Sequence, residues 1–244
     1  MHFQKFTHGI FQFLRGWGFS IVAAVLIATS FKSAIADWND VPTGSMKPTI
    51  LVGDRVFINK LSYGLKIPYT TWHIARWGSP ERGDIVVFYS PTDGKRLIKR
   101  LIGLPGDEIA LLSNKLYING KALGYRIVGG TSPGLTNTIP EDHYVHLFED
   151  LLGKQHPIMI SGARTPFDSF DPVVVPEGNA FVMGDNRDNS ADSRFFGFVE
   201  LSQVLGHATA IVLSRDGSFL KPRWERFFKK LICNCSGGST SNLM

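Results

Sequence analysis

The 244 residues carry 43% hydrophobic and 19% charged side chains, a balance that suits one sizeable folded domain or two small ones and excludes a disordered chain. Lys and Arg number 26 against 21 Asp and Glu, yet the excess forms no long basic run. No zinc-finger, helix-turn-helix or RNA-binding signature accompanies it, so we expect no nucleic-acid partner. Cys233 and Cys235 stand too close for an unstrained bridge and are too few for a metal site of their own.

In chain order, the first feature is an apolar segment. Gly16 to Phe31 holds no charge, and Lys32 is followed by the short apolar stretch Ser33 to Ala36. As one helix, residues 16–36 would be roughly 31 Å long at about 1.5 Å per residue, which matches the hydrocarbon core of a bilayer. Trp17 and Trp38 flank it as interfacial aromatics do, and Lys32 lies near enough to one end to snorkel. Lys5 and Arg15 precede the segment while Asp37 and Asp40 follow it, which puts residues 1–15 on the cytoplasmic side of a single-pass topology. A rival reading is a cleaved secretory signal, because Ala34-Ile35-Ala36 has the small-x-small form that precedes a cleavage site.

Beyond residue 37, short runs rich in Val, Ile, Phe and Tyr are punctuated by Gly, Pro, Asn and Asp, which predicts a mostly β domain. Strands are expected at Arg55 to Asn59, Asp84 to Tyr89, Leu97 to Gly103, Glu108 to Leu112, Val173 to Val175, Ala180 to Met183 and Ala208 to Leu213. Lys115 to Ile118 and Lys121 to Leu123 are joined by Asn119-Gly120, the dipeptide suited to a tight hairpin turn. Residues 124–170 have weak periodicity and read as an irregular insertion. Trp224, Phe227, Phe228, Leu231 and Ile232 follow helical spacing, with Pro222 at the first turn and basic residues on other faces. Residues 220–244 therefore read as a basic amphipathic helix and tail, lying either on anionic lipid or back on the β domain.

Candidate chemistry begins at Ser45, in a loop bounded by Pro42 and Pro48. In an extended strand Lys99 shares a face with Leu97 and Leu101, while Arg96 and Arg100 point to the other. A free lysine is neutral in only about 0.04% of molecules at pH 7. Burial among apolar groups can bring its pKa down by about 3, worth about 4 kcal/mol, and the amine can then accept a serine proton.

Four boxes in this order resemble bacterial type I signal peptidases, a family of Ser/Lys serine proteases. They are Pro42-Thr43-Gly44-Ser45-Met46-Lys47-Pro48-Thr49-Ile50 with Gly53-Asp54; Arg82-Gly83-Asp84-Ile85-Val86-Val87-Phe88; Ile98-Lys99-Arg100 with Gly103-Leu104-Pro105-Gly106-Asp107; and Met183-Gly184-Asp185-Asn186-Arg187-Asp188-Asn189-Ser190-Ala191-Asp192-Ser193-Arg194. The resemblance implies a coiled, barrel-like antiparallel catalytic domain, here 37–219, with an N-terminal transmembrane helix, standing on the periplasmic face of the bacterial inner membrane. It implies removal of signal peptides from exported preproteins after small-x-small sequences. Box by box, Ser45 becomes the nucleophile, Lys99 the base and Ser190 the hydroxyl that orients the lysine. The Ser45 N–H and the Thr43 hydroxyl become the oxyanion donors, Thr43 standing where many relatives have serine. Asp185, Asp192, Arg194 and Arg100 are assigned support of the site. Met46, Ile50 and Leu97 would line the pocket beside the scissile bond, with Val41 and Ile98 near the second small side chain. The expected partners are preproteins and the phospholipid membrane, for a monomer with no cofactor and no metal. Two alternatives stay open: a peptidase dedicated to one secreted partner such as a pilus subunit, and a non-catalytic membrane-tethered peptide-binding module.

Three further motifs carry no function. Gly130-Thr131-Ser132-Pro133-Gly134 fits a nucleophile elbow, but Pro133 removes the N–H needed for the oxyanion hole. Asp188, Ser190 and Asp192 open like a calcium loop, but Ser193 and Val199 occupy the positions that need Gly and Glu. His143, His146 and His156 read as exposed residues of a polar insertion rather than a metal cluster.

Overall fold

The computed structural model describes residues 16–67, 73–127, 144–161, 168–216, 221–231 and 234–235. An N-terminal helix, α1 (Trp17–Ala34), precedes β1 (Ala36–Asp40), β2 (Asp54–Asn59), β3 (Gly64–Lys66), β4 (His73–Arg76), β5 (Ile85–Tyr89) and β6 (Arg96–Gly103). The chain continues through β7 (Glu108–Leu112), β8 (Lys115–Ile118), β9 (Lys121–Ala122), β10 (Gly124–Ile127), β11 (Tyr144–Leu151), β12 (Lys154–Ser161), β13 (Phe170–Val174) and β14 (Asn179–Met183). A short helix α2 (Ser193–Phe196), then β15 (Val199–Glu200), β16 (Val204–Ser214) and β17 (Asn234–Cys235) complete it.

The central sheet has seven strands in the order β1-β2-β16-β5-β6-β14-β15, with every pair antiparallel. Register shifts along β16, at Val204/Gly206, Ala208/Ala210 and Ile211/Leu213, bend the strand that spans the sheet. Extra residues of this kind raise the local twist, and the sheet curls into a half-barrel. The fold is therefore mostly β, as the alternating apolar runs predict. Val41, Met46, Ile50, Val56, Ile58, Ile85, Val87, Ala208 and Ile211 fill one apolar cluster, and Val86, Phe88, Leu101 and Val182 belong to another. The Asn119-Gly120 hairpin forms where expected, with φ of 51° and 74°.

Three sequence expectations need correction. The first concerns the span predicted over 16–36. The helix stops at Ala34, and Ala36 already pairs with Asn59 in the sheet. Among the described residues no helix is long and apolar enough to cross a membrane. The helix still presents Ile21, Val22, Val25, Leu26 and Ile27 outward, all more than half exposed.

The second correction concerns 124–170, which is not wholly irregular. β11 and β12 form an eight-residue antiparallel ribbon flanked by β10 and β17. The third concerns the C-terminus, where no amphipathic helix forms over the described residues. A single 3-10 turn at Trp224–Arg226 is followed by Phe228 at φ 58° and then by extended chain. Leu231 donates to the Thr209 carbonyl at 2.8 Å and Ile211 to that of Lys229 at 2.8 Å, so pairing with β16 replaces the helical ladder. Arg226 is drawn inward to Asp54 at 2.6 Å, whereas a helix would have left it in water.

Candidate active site

The nucleophile loop between β1 and β2 is held at both ends. Val41 donates to the Asp54 carbonyl at 2.9 Å, and Gly53 returns a bond to that of Val41 at 3.0 Å. Within the loop, Lys47 N–H reaches the Gly44 carbonyl and Ile50 N–H that of Met46, closing tight turns around Ser45. Buried Met46 and Ile50 anchor the far side in the core, and Arg226 donates to the Thr49 carbonyl at 3.1 Å. Ser45 is thus fixed by backbone bonds and packing.

Lys99 arrives from β6, paired across the sheet with the fully buried Val86. The lysine is only 3% exposed, and its Nζ donates to Ser45 Oγ at 2.6 Å. Burial pulls its pKa from 10.5 down to about 8, against the opposing pull of the Asp192 and Asp185 carboxylates. Those carboxylates are already engaged. Asp185 is bound by Arg100 in a fork, at 2.8 and 2.7 Å, and Asp192 by Arg194, at 2.8 Å through each of two nitrogens. Burial would raise the pKa of Asp185, but Arg100 holds it below the usual carboxylate range; Arg194 does the same for Asp192. Both aspartates therefore stay ionised without forming an ion pair with Lys99. At a pKa near 8 about a tenth of the lysines are neutral at pH 7, several hundredfold more than for a free lysine.

The other expected residues divide into those brought to the dyad and those kept from it. Ser190 is buried beside it, though no hydrogen bond joins its hydroxyl to Lys99. Thr43 is exposed two residues before Ser45. Val41, Met46, Ile50 and Ile98 pack in one cluster, whereas Leu97 belongs to the neighbouring one. Met46 and Ile50 are 1% and 0% exposed, so they form a floor below the surface.

Several residues of the site escaped the sequence reading. Asn186 donates its N–H to the Ser45 carbonyl at 3.0 Å and its side-chain amide to that of Gly44 at 3.1 Å, clamping the nucleophile loop. Gly184 has no room for a side chain: a Cβ there would stand 2.3 Å from Ser190 Oγ and 2.5 Å from the Ser45 carbonyl. Thr49 donates its hydroxyl to Asp185. His156, expected in water, is 1% exposed and lies against the Glu149 carboxylate at 3.3 Å. The Thr49, Gly184 and Asn186 positions carried a signal, since Thr49 lies inside the first box and the other two inside the last. The Gly130–Gly134 motif and His143 fall outside the described residues.

The chain is similar to known peptidases over most of its length. A family model described as signal peptidase, peptidase S26, matches residues 14–213. Signal peptidase I of Pseudomonas aeruginosa is 33% identical over 211 residues, covering 81% of this chain and 72% of that protein. Signal peptidase I of Rickettsia felis is 39% identical over 217 residues, covering 81% and 79%. A crystal structure of a signal peptidase I from Enterococcus faecalis aligns at 32% identity over 54% of this chain and 98% of that one, with a TM-score of 0.34. The chain belongs to the signal peptidase I family of serine peptidases.

Proposed function

We propose that the protein removes signal peptides from exported preproteins, cutting after small-x-small sequences through a Ser45/Lys99 acyl-enzyme mechanism. The observation that carries this reading is the 2.6 Å contact between Ser45 Oγ and a lysine amine that is 3% exposed. Neutral Lys99 accepts the hydroxyl proton as Oγ attacks the scissile carbonyl. The resulting oxyanion is met by the Ser45 N–H and the Thr43 hydroxyl, a donor pair of a kind typically worth several kcal/mol in the transition state. Collapse breaks the C–N bond, and the Lys99 ammonium protonates the departing amine of the mature protein. Lys99 then takes a proton from water, whose oxygen attacks the ester, and the Lys99 ammonium gives that proton to Ser45 Oγ as the C–Oγ bond breaks, releasing the signal peptide as a carboxylic acid. Ser190 stands over Gly184, close to the Ser45 loop, and we assign its hydroxyl to orienting the amine. Val41, Met46, Ile50 and Ile98 form the apolar floor of a site that admits alanine-sized side chains and refuses larger ones, while Leu97 packs in the neighbouring cluster.

We also read the N-terminal segment as the membrane attachment, with the catalytic domain on the periplasmic side. The outward apolar side chains of α1 and the charge bias across it support that reading. Incubation of purified protein with a panel of preproteins, with the cut mapped by mass spectrometry, tests the function. Cleavage after small-x-small that disappears in Ser45→Ala and in Lys99→Met is the expected outcome. Undiminished cleavage by either variant would refute it.

A further inference from the structure

The last box does more than supply charges around the dyad. Asn186, which clamps the Ser45 loop, stands between two residues that are fastened to the β11–β12 ribbon. Met159 of β12 donates to the Asp185 carbonyl at 2.9 Å and accepts from Arg187 N–H at 3.0 Å, so β12 grips the backbone on both sides of Asn186. Beneath this joint lies a row of polar side chains crossing three strands, half-buried at Tyr125 and fully buried at Glu149 and His156. Tyr125 of β10, Glu149 of β11 and His156 of β12 are register partners. The Tyr125 hydroxyl donates to Glu149 at 2.8 Å, and His156 Nε2 lies 3.3 Å from Glu149 and 4.0 Å from Asp185.

Arg187 enters this row from the catalytic box and donates to both oxygens of Glu149. It is among the largest fully buried side chains, at 1% exposure, against 0% for Glu149. A guanidinium and a carboxylate out of water hold one geometry, because each would otherwise be a buried unpaired charge. The Arg187 carbonyl in turn accepts from Arg194, which binds Asp192 beside the lysine. Glu149 thus connects through Arg187 to both the Asn186 clamp and the Asp192 side of the dyad, and His156 connects it to the Asp185–Arg100 pair. None of these three residues reaches the reacting atoms.

We infer that Glu149, Arg187 and His156 are positioning residues for the Ser45/Lys99 dyad, and that the stretch of the β11–β12 ribbon that carries Glu149 and His156 is thereby a working part of the active site. The inference rests on the dyad reading above. Its consequence is specific: loosening the joint lets Ser45 and Lys99 drift apart and admits water to the lysine. The turnover step suffers while substrate docking does not, and the lysine regains part of its ordinary basicity.

The experiment uses the full chain in detergent with a preprotein, comparing Glu149→Gln, Tyr125→Phe and, as a ribbon control far from the row, Val145→Ala, with the folded fraction set by circular dichroism. Per folded enzyme, Glu149→Gln is expected to lower kcat by tenfold or more with KM within twofold, and to move the rising limb of the pH–kcat/KM profile to higher pH. Tyr125→Phe, which keeps both charges, should do the same about threefold and carries the test if Glu149→Gln does not fold. Val145→Ala should leave both readouts unchanged. An unmoved limb with a loss that merely tracks the folded fraction, or an equal loss in Val145→Ala, would overturn the inference. A parallel Ser45→Ala sample that still cleaved would instead refute the dyad, so the two failures are separable.

Discussion

Two buried cations lie in adjacent parts of this molecule and have opposite fates. Lys99, on β6, is 3% exposed and contacts a neutral hydroxyl; Arg187, in the last box, is 1% exposed and is forked onto a carboxylate. Burial lowers the pKa of the lysine to about 8, making it a base. Burial acts on Arg187 too, but Glu149 outweighs it and holds the guanidinium charged, making it a strut. Desolvation without a partner yields chemistry, and desolvation with one yields rigidity.

The comparison breaks most visibly if both cations are replaced by methionine. Arg187→Met takes the guanidinium from buried Glu149, leaving it only Tyr125 and His156, and should lower unfolding free energy by about 3 kcal/mol in chemical denaturation. Lys99→Met should do the reverse at neutral pH. Its folded pKa lies below its unfolded value, so the unfolded chain binds more protons between about pH 8 and 10.5, and stability rises with pH through that window. Below it the full penalty of burying the charge is present. Removing the charge should therefore stabilise the protein by about 3 kcal/mol at pH 7, with the gain gone above about pH 10.5. Denaturant midpoints for wild type and variant at pH 7 and pH 10.5 check this, and equal destabilisation of both variants would collapse the distinction.

A smaller change sharpens the comparison without touching either charge. Gly184→Ala would place a methyl within 2.3 Å of Ser190 Oγ and 2.5 Å of the Ser45 carbonyl, forcing the nucleophile loop away from the lysine. Misplacement of reacting groups by about 1 Å loses on the order of 10²-fold in rate. The expected outcome is that loss in kcat/KM, measured on a preprotein, with Lys99 losing its contact and titrating higher.

The sequence made these two regions unequally legible. Ser45 and Lys99 could be paired because the four boxes stand in order; β6 itself, buried on both faces from Lys99 onward, shows no plain alternation. The β7–β8–β9 meander was equally plain, since Asn119-Gly120 dictates its second turn through local backbone preference. The ribbon was not, because buried Glu149 and His156 interrupt the apolar alternation by which half-buried strands are recognised. What makes them inward-facing is Arg187, 38 residues beyond Glu149, and no local pattern announces that partner. The C-terminal stretch misled for the same reason. Its apolar spacing was helical, but Arg226 is held by Asp54, 172 residues away, and β16 takes up its backbone. Asn186 and Gly184 lay in plain view inside a recognised box, yet their roles depend on the approach of the Ser45 carbonyl, which only the folded chain creates.

The central claim is that burial converts Lys99 into the base for Ser45. Its most direct test is the pH dependence of kcat/KM for preprotein cleavage by the full chain. We predict a rising limb with its midpoint near pH 8, and no cleavage by Lys99→Met at any pH. A midpoint near 10.5, where an ordinary lysine titrates, or a limb that persists in Lys99→Met, would contradict it.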